Sequence, residues 1–226
     1  MDVSGLPLDR FTLAAVVNNL DRSVPSEAAS AIEFRMDHAD DPISQLKAYD
    51  GQLPIIATNR AKWEGGAAAD AGRLDALRVA ATQPMVAAID IELASVDEAE
   101  ASTLRDVARD HGTTIIVSWH DFEQTPSRSS LTERLQRACD WGDIGKLAVT
   151  AQSPEDVLDV LTVTQQLTQS DCPVATMCMG TIGRHSRIIA PVYGSRIGYA
   201  PVESADASAP GQFPLEEMAA LIDALS

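Results

Sequence analysis

The residue with the clearest chemical potential is Lys146, one of three lysines in a chain that otherwise uses arginine for positive charge. It lies in D-I-G-K-L-A-V (143–149), where apolar neighbours predict a buried strand. A buried lysine is rare unless it has a partner or a task. A neutral amine can attack a carbonyl carbon, which an always-charged arginine cannot. Two interpretations stay open: a nucleophile that forms an imine, or an ion pair with Asp90 or Glu92.

His120 is the candidate for proton transfer. It ends the segment T-T-I-I-V-S-W-H (113–120), which predicts a strand with the imidazole at its C-terminal end. Imidazole is the usual group for moving protons near neutral pH. Glu64, in K-W-E-G-G (62–66), could orient or tune it. A structural histidine and a simple turn carboxylate are the alternatives.

The acidic residues near these positions raise the question of a metal. Four carboxylates could in principle hold Mg²⁺, namely Glu33, Asp37, Asp90 and Glu92. Arg35, Arg60 and Lys146 are predicted to share their surroundings, and these charges oppose a cation. An organic substrate with a carboxylate suits the mixture better, because arginine binds carboxylates in a fork and acids accept from hydroxyls. We therefore expect no metal.

Short apolar segments alternate with helical patterns along the chain. The predicted strands are residues 11–17, 31–37, 54–60, 87–94, 113–120, 143–150, 173–179 and 197–203. The clearest helical patterns are residues 70–82, 97–110, 129–141, 154–168 and 214–225. Alternation of this kind implies a parallel sheet, and no G-x-G-x-x-G follows a strand. We expect an α/β fold, a single (β/α)8 TIM barrel over residues 1–226, with an open doubly wound sheet as the alternative.

Polar and apolar residues alternate along five of these strands. We say that positions share a parity when the alternation of the strand places them on the same face. The polar positions that share a parity are Glu33, Arg35, Asp37, Thr58, Arg60, Asp90, Glu92, Ser118, His120 and Lys146. Alternate residues of a strand point to opposite faces, and a buried parallel strand is ordinarily apolar on both. We expect these side chains to line a barrel interior near the C-terminal strand ends, where barrel enzymes build active sites. An open sheet with one solvated face is the alternative.

The charge balance limits the possible partners. Thirty-three acidic against 17 basic residues give a net charge of −16. Such a chain does not wrap nucleic acid or adsorb to an anionic membrane. No apolar run approaches the roughly 18 residues that span a bilayer, so we expect a soluble cytoplasmic protein. An acidic surface poor in lysine also predicts adaptation to concentrated salt, which screens self-repulsion; an acidic enzyme from an arginine-preferring genome is the alternative.

The cysteines predict no cross-link. Cys139, Cys172 and Cys178 leave one thiol over and fit no disulfide framework. The spacing between the last two is not that of a zinc pair. We expect a protein of a reducing compartment.

Taken together, these segments resemble the type I 3-dehydroquinate dehydratases over most of the chain. The matching segments, in order, are E-F-R-M-D (33–37), T-N-R-A-K-W-E-G-G (58–66), D-I-E-L (90–93), S-W-H-D-F-x-x-T-P (118–126), D-I-G-K-L-A-V (143–149), M-C-M-G-x-x-G-x-x-S-R (177–187), Y-G-S (193–195) and S-A-P-G-Q (208–212). A single short motif such as E-G-G is weak evidence for a family. The whole series in register is specific.

The resemblance implies a (β/α)8 barrel that removes water from 3-dehydroquinate to give 3-dehydroshikimate in aromatic amino-acid biosynthesis, without a cofactor. It implies that Lys146 forms a Schiff base with the substrate ketone, that His120 acts as general acid and base, and that Glu64 lies beside His120. The remaining matched positions are Glu33, Arg35 and Arg60 for the substrate hydroxyls and ring, Arg187, Ser208 and Gln212 for its carboxylate, and Met179, Tyr199 and Asp90 for the pocket lining. A homodimer is expected by the same analogy.

The sequence departs from the family pattern at its start. Only residues 1–10 precede the first predicted strand, so the N-terminal hairpin that closes the barrel in many relatives is expected to be short or absent. Relatives often carry a substrate-contacting serine at the end of strand one, but this chain has V-V-N-N there, so no contact is assigned to Val17 or Asn18. The S-A-P-G-Q segment is expected to act as a lid, since Pro210 and Gly211 favour a turn.

Two other functions stay open. Another Schiff-base barrel, such as a class I aldolase, would need a phosphate site, whereas Arg187 with the S-A-P-G-Q segment suits a carboxylate. A catalytically silent barrel that binds a carboxylated metabolite is the second alternative. Intact Lys146, His120 and Glu64 argue against it.

Overall fold

The chain forms a nearly closed parallel barrel surrounded by helices in a computed structural model that describes residues 5–206 and 211–225. The strands are β1 Thr12–Val17, β2 Ala31–Arg35, β3 Ile55–Thr58, β4 Val86–Glu92, β5 Thr114–Asp121, β6 Ile144–Thr150, β7 Val174–Met179 and β8 Ile197–Pro201. Neighbours pair in parallel in the order β7-β6-β5-β4-β3-β2-β1-β8. The predicted TIM barrel is confirmed.

The helices follow the strands as a βα repeat requires. They are α1 Pro42–Ala48, α2 Arg73–Ala80, α3 Ala99–Asp110, α4 Arg128–Trp141, α5 Pro154–Thr168, α6 Gly180–Gly183, α7 Ser186–Ile189 and α8 Leu215–Asp223. The start of α5 is capped: the Ser153 hydroxyl accepts from the Asp156 N–H while the Asp156 carboxylate accepts from the Ser153 N–H. The single turns α6 and α7 were not predicted, because four residues are too few to show a helical period. None of the described helices is long and apolar enough to cross a membrane.

The barrel closes between β7 and β8 without a regular ladder. The Arg196 N–H, just before β8, donates to the Val174 carbonyl at 2.7 Å. The Ser195 hydroxyl accepts from the Thr176 N–H at 3.0 Å. These two bonds connect the strands at the only neighbouring pair in the described barrel that lacks a register.

Strand parity divides the core into an inner and an outer layer. Alanine and isoleucine side chains fill the N-terminal end of the barrel interior, among them Ala14, Ala31, Ile56, Ala88, Ile116, Ile144 and Ile197. Leu6 joins this cluster from residues 5–11, which form no strand, so this short segment covers the end that a hairpin would otherwise close. The opposite parity packs outwards, as where Ile89 and Ile91 contact the cluster that holds Leu77 of α2 and Leu104 of α3.

The expectation of unpaired cysteines is wrong. Cys139 of α4 and Cys172, just before β7, form a disulfide with their Cα atoms 5.8 Å apart. The third cysteine, Cys178, is buried and free. The two partners are 33 residues apart in sequence, and only the packing of α4 beside the β6–β7 region makes them neighbours. An odd number of cysteines does not reveal such a pair.

Candidate active site

Six of the ten polar residues of the shared parity meet in one pocket at the C-terminal mouth of the barrel. Ten of the twelve predicted site residues line it: Glu33, Arg35, Arg60, Glu64, His120, Lys146, Met179, Arg187, Tyr199 and Gln212. Asp90 lies directly beneath the pocket and is 1% exposed. Ser208 lies outside the described residues. Residues from β2, β3, β5, β6, β7 and β8, with the segments that follow them, therefore contribute to one site.

Lys146 points into the barrel from β6 and is only 5% exposed. Its Nζ lies 2.8 Å from Asp90 Oδ2 and 3.5 Å from Glu33 Oε1. The same nitrogen lies 3.9 Å from the centre of the Tyr199 ring. The expected ion pair therefore forms with Asp90 rather than with Glu92, and the amine still lines the pocket.

Asp90 is the anchor beneath that amine. Its Oδ1 accepts hydrogen bonds from Arg60 Nη2 and Ser118 Oγ, each at 2.6 Å, and its Oδ2 accepts from Lys146. Burial alone would raise the pKa of Asp90, but the charges of Arg60 and Lys146 and these hydrogen bonds hold that pKa well below its usual range. Asp90 is thus a permanent anion that fixes the position of the Lys146 amine.

His120 and Glu64 meet at the edge of the pocket. Glu64 Oε1 lies 2.8 Å from His120 Nδ1, although the two residues are 56 positions apart. Glu64 belongs to the single turn Lys62–Glu64 after β3, which ends because Gly65 adopts a left-handed conformation with φ +79°. No described residue forms a hydrogen bond with Nε2 of His120, so that nitrogen is available to a ligand in the pocket.

The surroundings favour an uncharged imidazole. Burial, with the charges of Arg60 and Lys146, holds the pKa of His120 well below its ordinary value. Burial, with the charges of Glu92 and Asp90, raises the pKa of Glu64 to about 8 against the opposing charge of Arg60. The imidazole of His120 is therefore uncharged at neutral pH, and its Nδ1 is held against Glu64.

Arg187 is buried without an acidic partner. It lies in α7 and is 5% exposed, and its Nη1 donates to the Met177 sulfur at 3.4 Å. Its Nε has no hydrogen-bond partner, and no described carboxylate pairs with the guanidinium. Burial lowers the pKa of Arg187 to about 10 but leaves it charged at neutral pH. A buried, unpaired guanidinium facing a pocket is suited to an anionic ligand.

Arg35 differs from Arg187 because it is held by a carboxylate. Its Nε and Nη2 donate to the two Asp37 oxygens at 2.9 and 2.7 Å. Asp37 follows β2 in a single turn and also accepts the Ala67 N–H at 3.0 Å. Arg35 therefore lines the pocket in a fixed orientation.

The sequence profile described as Type I 3-dehydroquinase matches residues 6–226. The chain belongs to this family. It is accordingly a hydro-lyase that removes water from 3-dehydroquinate in the shikimate pathway. The aldolase and silent-barrel alternatives are thereby set aside.

Individual relatives agree with the family profile. The 3-dehydroquinate dehydratase of Haloarcula marismortui is 52% identical over 225 residues, which cover 97% of this chain and 98% of the relative. The crystal structure of 3-dehydroquinate dehydratase from Geobacillus kaustophilus matches with a TM-score of 0.83 at 26% identity, over 96% of this chain and 91% of that one. The type I enzyme from Clostridium difficile, solved with covalent modified comenic acid, gives 0.82 at 26% identity, over 96% and 92%.

Several pocket residues of this family member were not predicted. Gly65, Phe122, Ala148 and Met177 also line the pocket, as does Thr58, which its strand parity had placed on the interior face. Parity would have found most of them, since Phe122 is two residues after His120, Ala148 two after Lys146, and Met177 two before Met179.

Phe122 supports the His120 ring. The two rings stack with centroids 6.0 Å apart and planes 8° from parallel. A Cβ on Gly65 would lie 2.4 Å from Phe122 Cζ, so the glycine leaves room for this phenyl ring as well as adopting positive φ. Glu64 thus contacts the edge of the imidazole and Phe122 its face.

The end of β1 lies apart from the pocket. Val17 packs into the outer core and Asn18 is exposed, and neither lines the site. The described residues also contain no group of three His, Cys, Asp or Glu side chains that could hold a metal ion.

Proposed function

We propose that Lys146 is the Schiff-base residue of this dehydratase and that His120 transfers its protons. The observation that carries the proposal is a buried amine held 2.8 Å from Asp90 in the same pocket as the His120–Glu64 pair. The other two lysines, Lys47 and Lys62, are exposed. A covalent bond in this pocket is also in keeping with the covalent modified comenic acid of the Clostridium difficile relative.

The surroundings of Nζ suit the imine as well as the amine. His120 takes a proton from the Lys146 ammonium group, and the neutral amine attacks the substrate ketone to give a carbinolamine. The protonated His120 returns that proton to the carbinolamine hydroxyl, which leaves as water, so that a protonated imine remains at the position of Nζ. The Asp90 carboxylate and the face of the Tyr199 ring both stabilise positive charge there. These groups are fixed before substrate arrives, so they need no rearrangement during the reaction.

The protonated imine makes elimination easy because it draws electrons from the neighbouring carbon. Nε2 of His120 removes a proton from that carbon, the resulting enamine expels the hydroxyl at the next carbon, and the protonated His120 gives its proton to that hydroxyl so that water departs. The neutral Nε2 of His120 first accepts a proton during imine formation, and Glu64 fixes the ring through Nδ1. Hydrolysis of the product imine releases 3-dehydroshikimate and restores Lys146.

The carboxylate of the substrate is assigned to Arg187 and Gln212, with Ser208 from the S-A-P-G-Q segment. The unpaired buried guanidinium of Arg187 supports this assignment. Gly211, with φ +85°, packs so closely that a Cβ there would lie 2.7 Å from the Gly180 carbonyl oxygen, and this contact places Gln212 at the pocket. Glu33, Arg35 and Arg60 are assigned to the hydroxyls and ring, and Met179 to the apolar wall.

Borohydride trapping tests the proposal directly. Wild-type protein incubated with 3-dehydroquinate and borohydride should gain one covalent adduct, located on the peptide that contains Lys146. Lys146→Ala should lose both the adduct and turnover, measured as absorbance of the conjugated enone product. Lys62→Ala is the matched control, because Lys62 is exposed and should leave both unchanged. An adduct that still forms without Lys146 would defeat the assignment.

The cellular setting is inferred from the reaction. A biosynthetic dehydratase with a small-molecule substrate is expected in the cytoplasm, and the chain is proposed to act there as one catalytic domain. The homodimer stays a prediction, which light scattering in molar KCl would test.

A further inference from the structure

Two buried charges in this barrel do not belong to the pocket. Eight charged residues of the described chain are buried: Glu33, Arg60, Glu64, Arg73, Asp90, Glu92, Lys146 and Arg187. Five of them line the pocket and Asp90 anchors two of those five. Arg73 and Glu92 remain. Burying an ion pair is costly and often adds nothing to stability, so its presence calls for another reason.

Glu92 reaches from the end of β4 to the segment that follows β3. Its Oε1 accepts the Ala61 N–H at 2.8 Å and lies 3.3 Å from Arg60 Nη1. Its Oε2 pairs with Arg73 Nη1. A single carboxylate, wholly buried, therefore contacts the backbone of one residue of this segment and the side chain of another.

Arg73, the first residue of α2, holds the same segment from the other side. Its carbonyl oxygen accepts from Asn59 Nδ2 at 3.1 Å, and its guanidinium lies 5.8 Å from the centre of the Trp63 ring. Its Nη2 donates to Ser95 Oγ at 2.7 Å, which ties it to the turn after β4. Between them, Arg73 and Glu92 contact residues 59, 60, 61 and 63.

We propose that Arg73 and Glu92 are positioning residues that brace residues 59–64, and so set Arg60 against Asp90 and Glu64 against His120. Neither touches the pocket. The inference deepens the proposed function and rests on its roles for Glu64 and His120. A shift of about 1 Å in a catalytic group can cost on the order of 100-fold in rate, which is the size of effect such a brace can control.

Glu92 also acts electrostatically on Glu64, and this effect can be measured separately from the positioning of residues 59–64. After burial, the groups that act most strongly on the pKa of Glu64 are Arg60, Glu92, Asp90 and His120. Burial is the largest cause of its raised pKa, and the Glu92 charge adds to it. Replacing Glu92 by glutamine should therefore lower the pKa of Glu64.

The experiment compares Glu92→Gln, Arg73→Lys and the double variant Arg73→Met/Glu92→Gln, assayed for kcat, KM and pH profile. We expect kcat to fall by about 10- to 100-fold with a smaller change in KM, since the pocket lining is intact. Glu92→Gln should also shift the pH profile. Arg73→Lys should retain more activity than the double variant, because an ammonium can reach Glu92 but cannot fork to Ser95 as well. The double variant leaves no unpaired charge buried, so it separates positioning from loss of folding.

The matched control is Thr164→Val/Thr176→Val, which removes a buried hydroxyl pair between α5 and β7. It should lower thermal stability and leave kcat and the pH profile unchanged. Folded Glu92 and double variants that keep wild-type kcat and pH profile would overturn the inference. His120→Ala is measured alongside: wild-type turnover in that variant would instead overturn the proposed function.

Discussion

The two halves of the pocket hold their charges differently. In the strand-borne half, Lys146, Asp90 and His120 project from strands, and each has a charged or hydrogen-bonding partner inside the protein. In the loop-borne half, Arg187 lies in a single helical turn and pairs with no described carboxylate, and Gln212 is the last residue of the S-A-P-G-Q segment. The groups proposed to carry the chemistry are paired before the substrate binds, whereas the Arg187 guanidinium, proposed to bind the carboxylate, has no carboxylate partner among the described residues.

Substitutions in the strand-borne half should cause the largest loss of kcat. His120→Ala removes the proposed acid and base, and we expect kcat to fall by about 10²–10⁴-fold, with little change in folding. Steady-state kinetics measure it. His111→Ala is the control, because His111 lies exposed at the end of α3 and bonds only the Val107 carbonyl. Near wild-type turnover without His120 would remove it from its role.

Substitutions in the loop-borne half should raise KM. Arg187→Met removes a charge-assisted hydrogen bond to the substrate carboxylate, so KM should rise by about 10- to 100-fold while kcat changes less. The control is Arg184→Met, whose guanidinium packs on the Phe213 ring outside the pocket. A variant at Arg187 that loses kcat alone would place this residue with the chemistry and erase the distinction between the halves.

The disulfide should affect stability without affecting either half. Cys139–Cys172 closes a loop of 33 residues, for which loop-closure entropy predicts about 3–4 kcal/mol. Cys139→Ser/Cys172→Ser should lower the free energy of unfolding by an amount of this order. Both kcat and KM should stay as in the wild type because neither cysteine lines the pocket. Thiol labelling of the unfolded wild type, which should reveal Cys178 alone, checks that the bond is present.

The pH profile should distinguish the halves more finely. The pKa of His120 is held below its ordinary value, chiefly by burial and then by Arg60 and Lys146, so the neutral base persists as pH falls. The acid limb of kcat/KM should therefore lie below about pH 6.5, the ordinary histidine value. Arg187→Met should leave that limb in place, since Arg187 is not among the largest influences on the pKa of His120. An acid limb at or above 6.5 would contradict the neutral imidazole.

The smallest effect is expected from salt, which acts on the surface and on neither half. A net charge of −16 repels itself, and the screening length falls from about 10 Å at 0.1 M to about 3 Å at 1 M salt. The midpoint of thermal unfolding should rise between low and molar KCl. A midpoint that stays level or falls would refute salt adaptation, although the Haloarcula marismortui relative is in keeping with it.

Much of the fold could be predicted because each strand and helix carries its own period. The α5 helix extends over the predicted residues 154–168, and β6 differs from its prediction by one residue. The elements that were missed have no period to read: α6 and α7 are single turns, and β2 ends at Arg35, where Asp37 turns back to hold it.

The sequence predicted which residues lie on the interior face, but it predicted less well which of them pair with one another. Parity placed Asp90, Glu92 and Lys146 on one face, which the structure bears out. It could not choose between Asp90 and Glu92 as the partner of Lys146, since both lie on that face of β4. In the structure Lys146 forms an ion pair with Asp90, and Glu92 forms one with Arg73.

The sequence by itself determined which side chains face the barrel interior, because a strand alternates its faces with a period of two. It also determined that Lys146 is the one lysine within a buried strand. Only the tertiary structure decided which groups meet: Glu64 with His120, Glu92 with Ala61, and Cys139 with Cys172. The face of the strand on which a side chain lies is set by local backbone geometry. Which side chains contact one another depends on how the strands align around the barrel and on where the segments between the strands return to it.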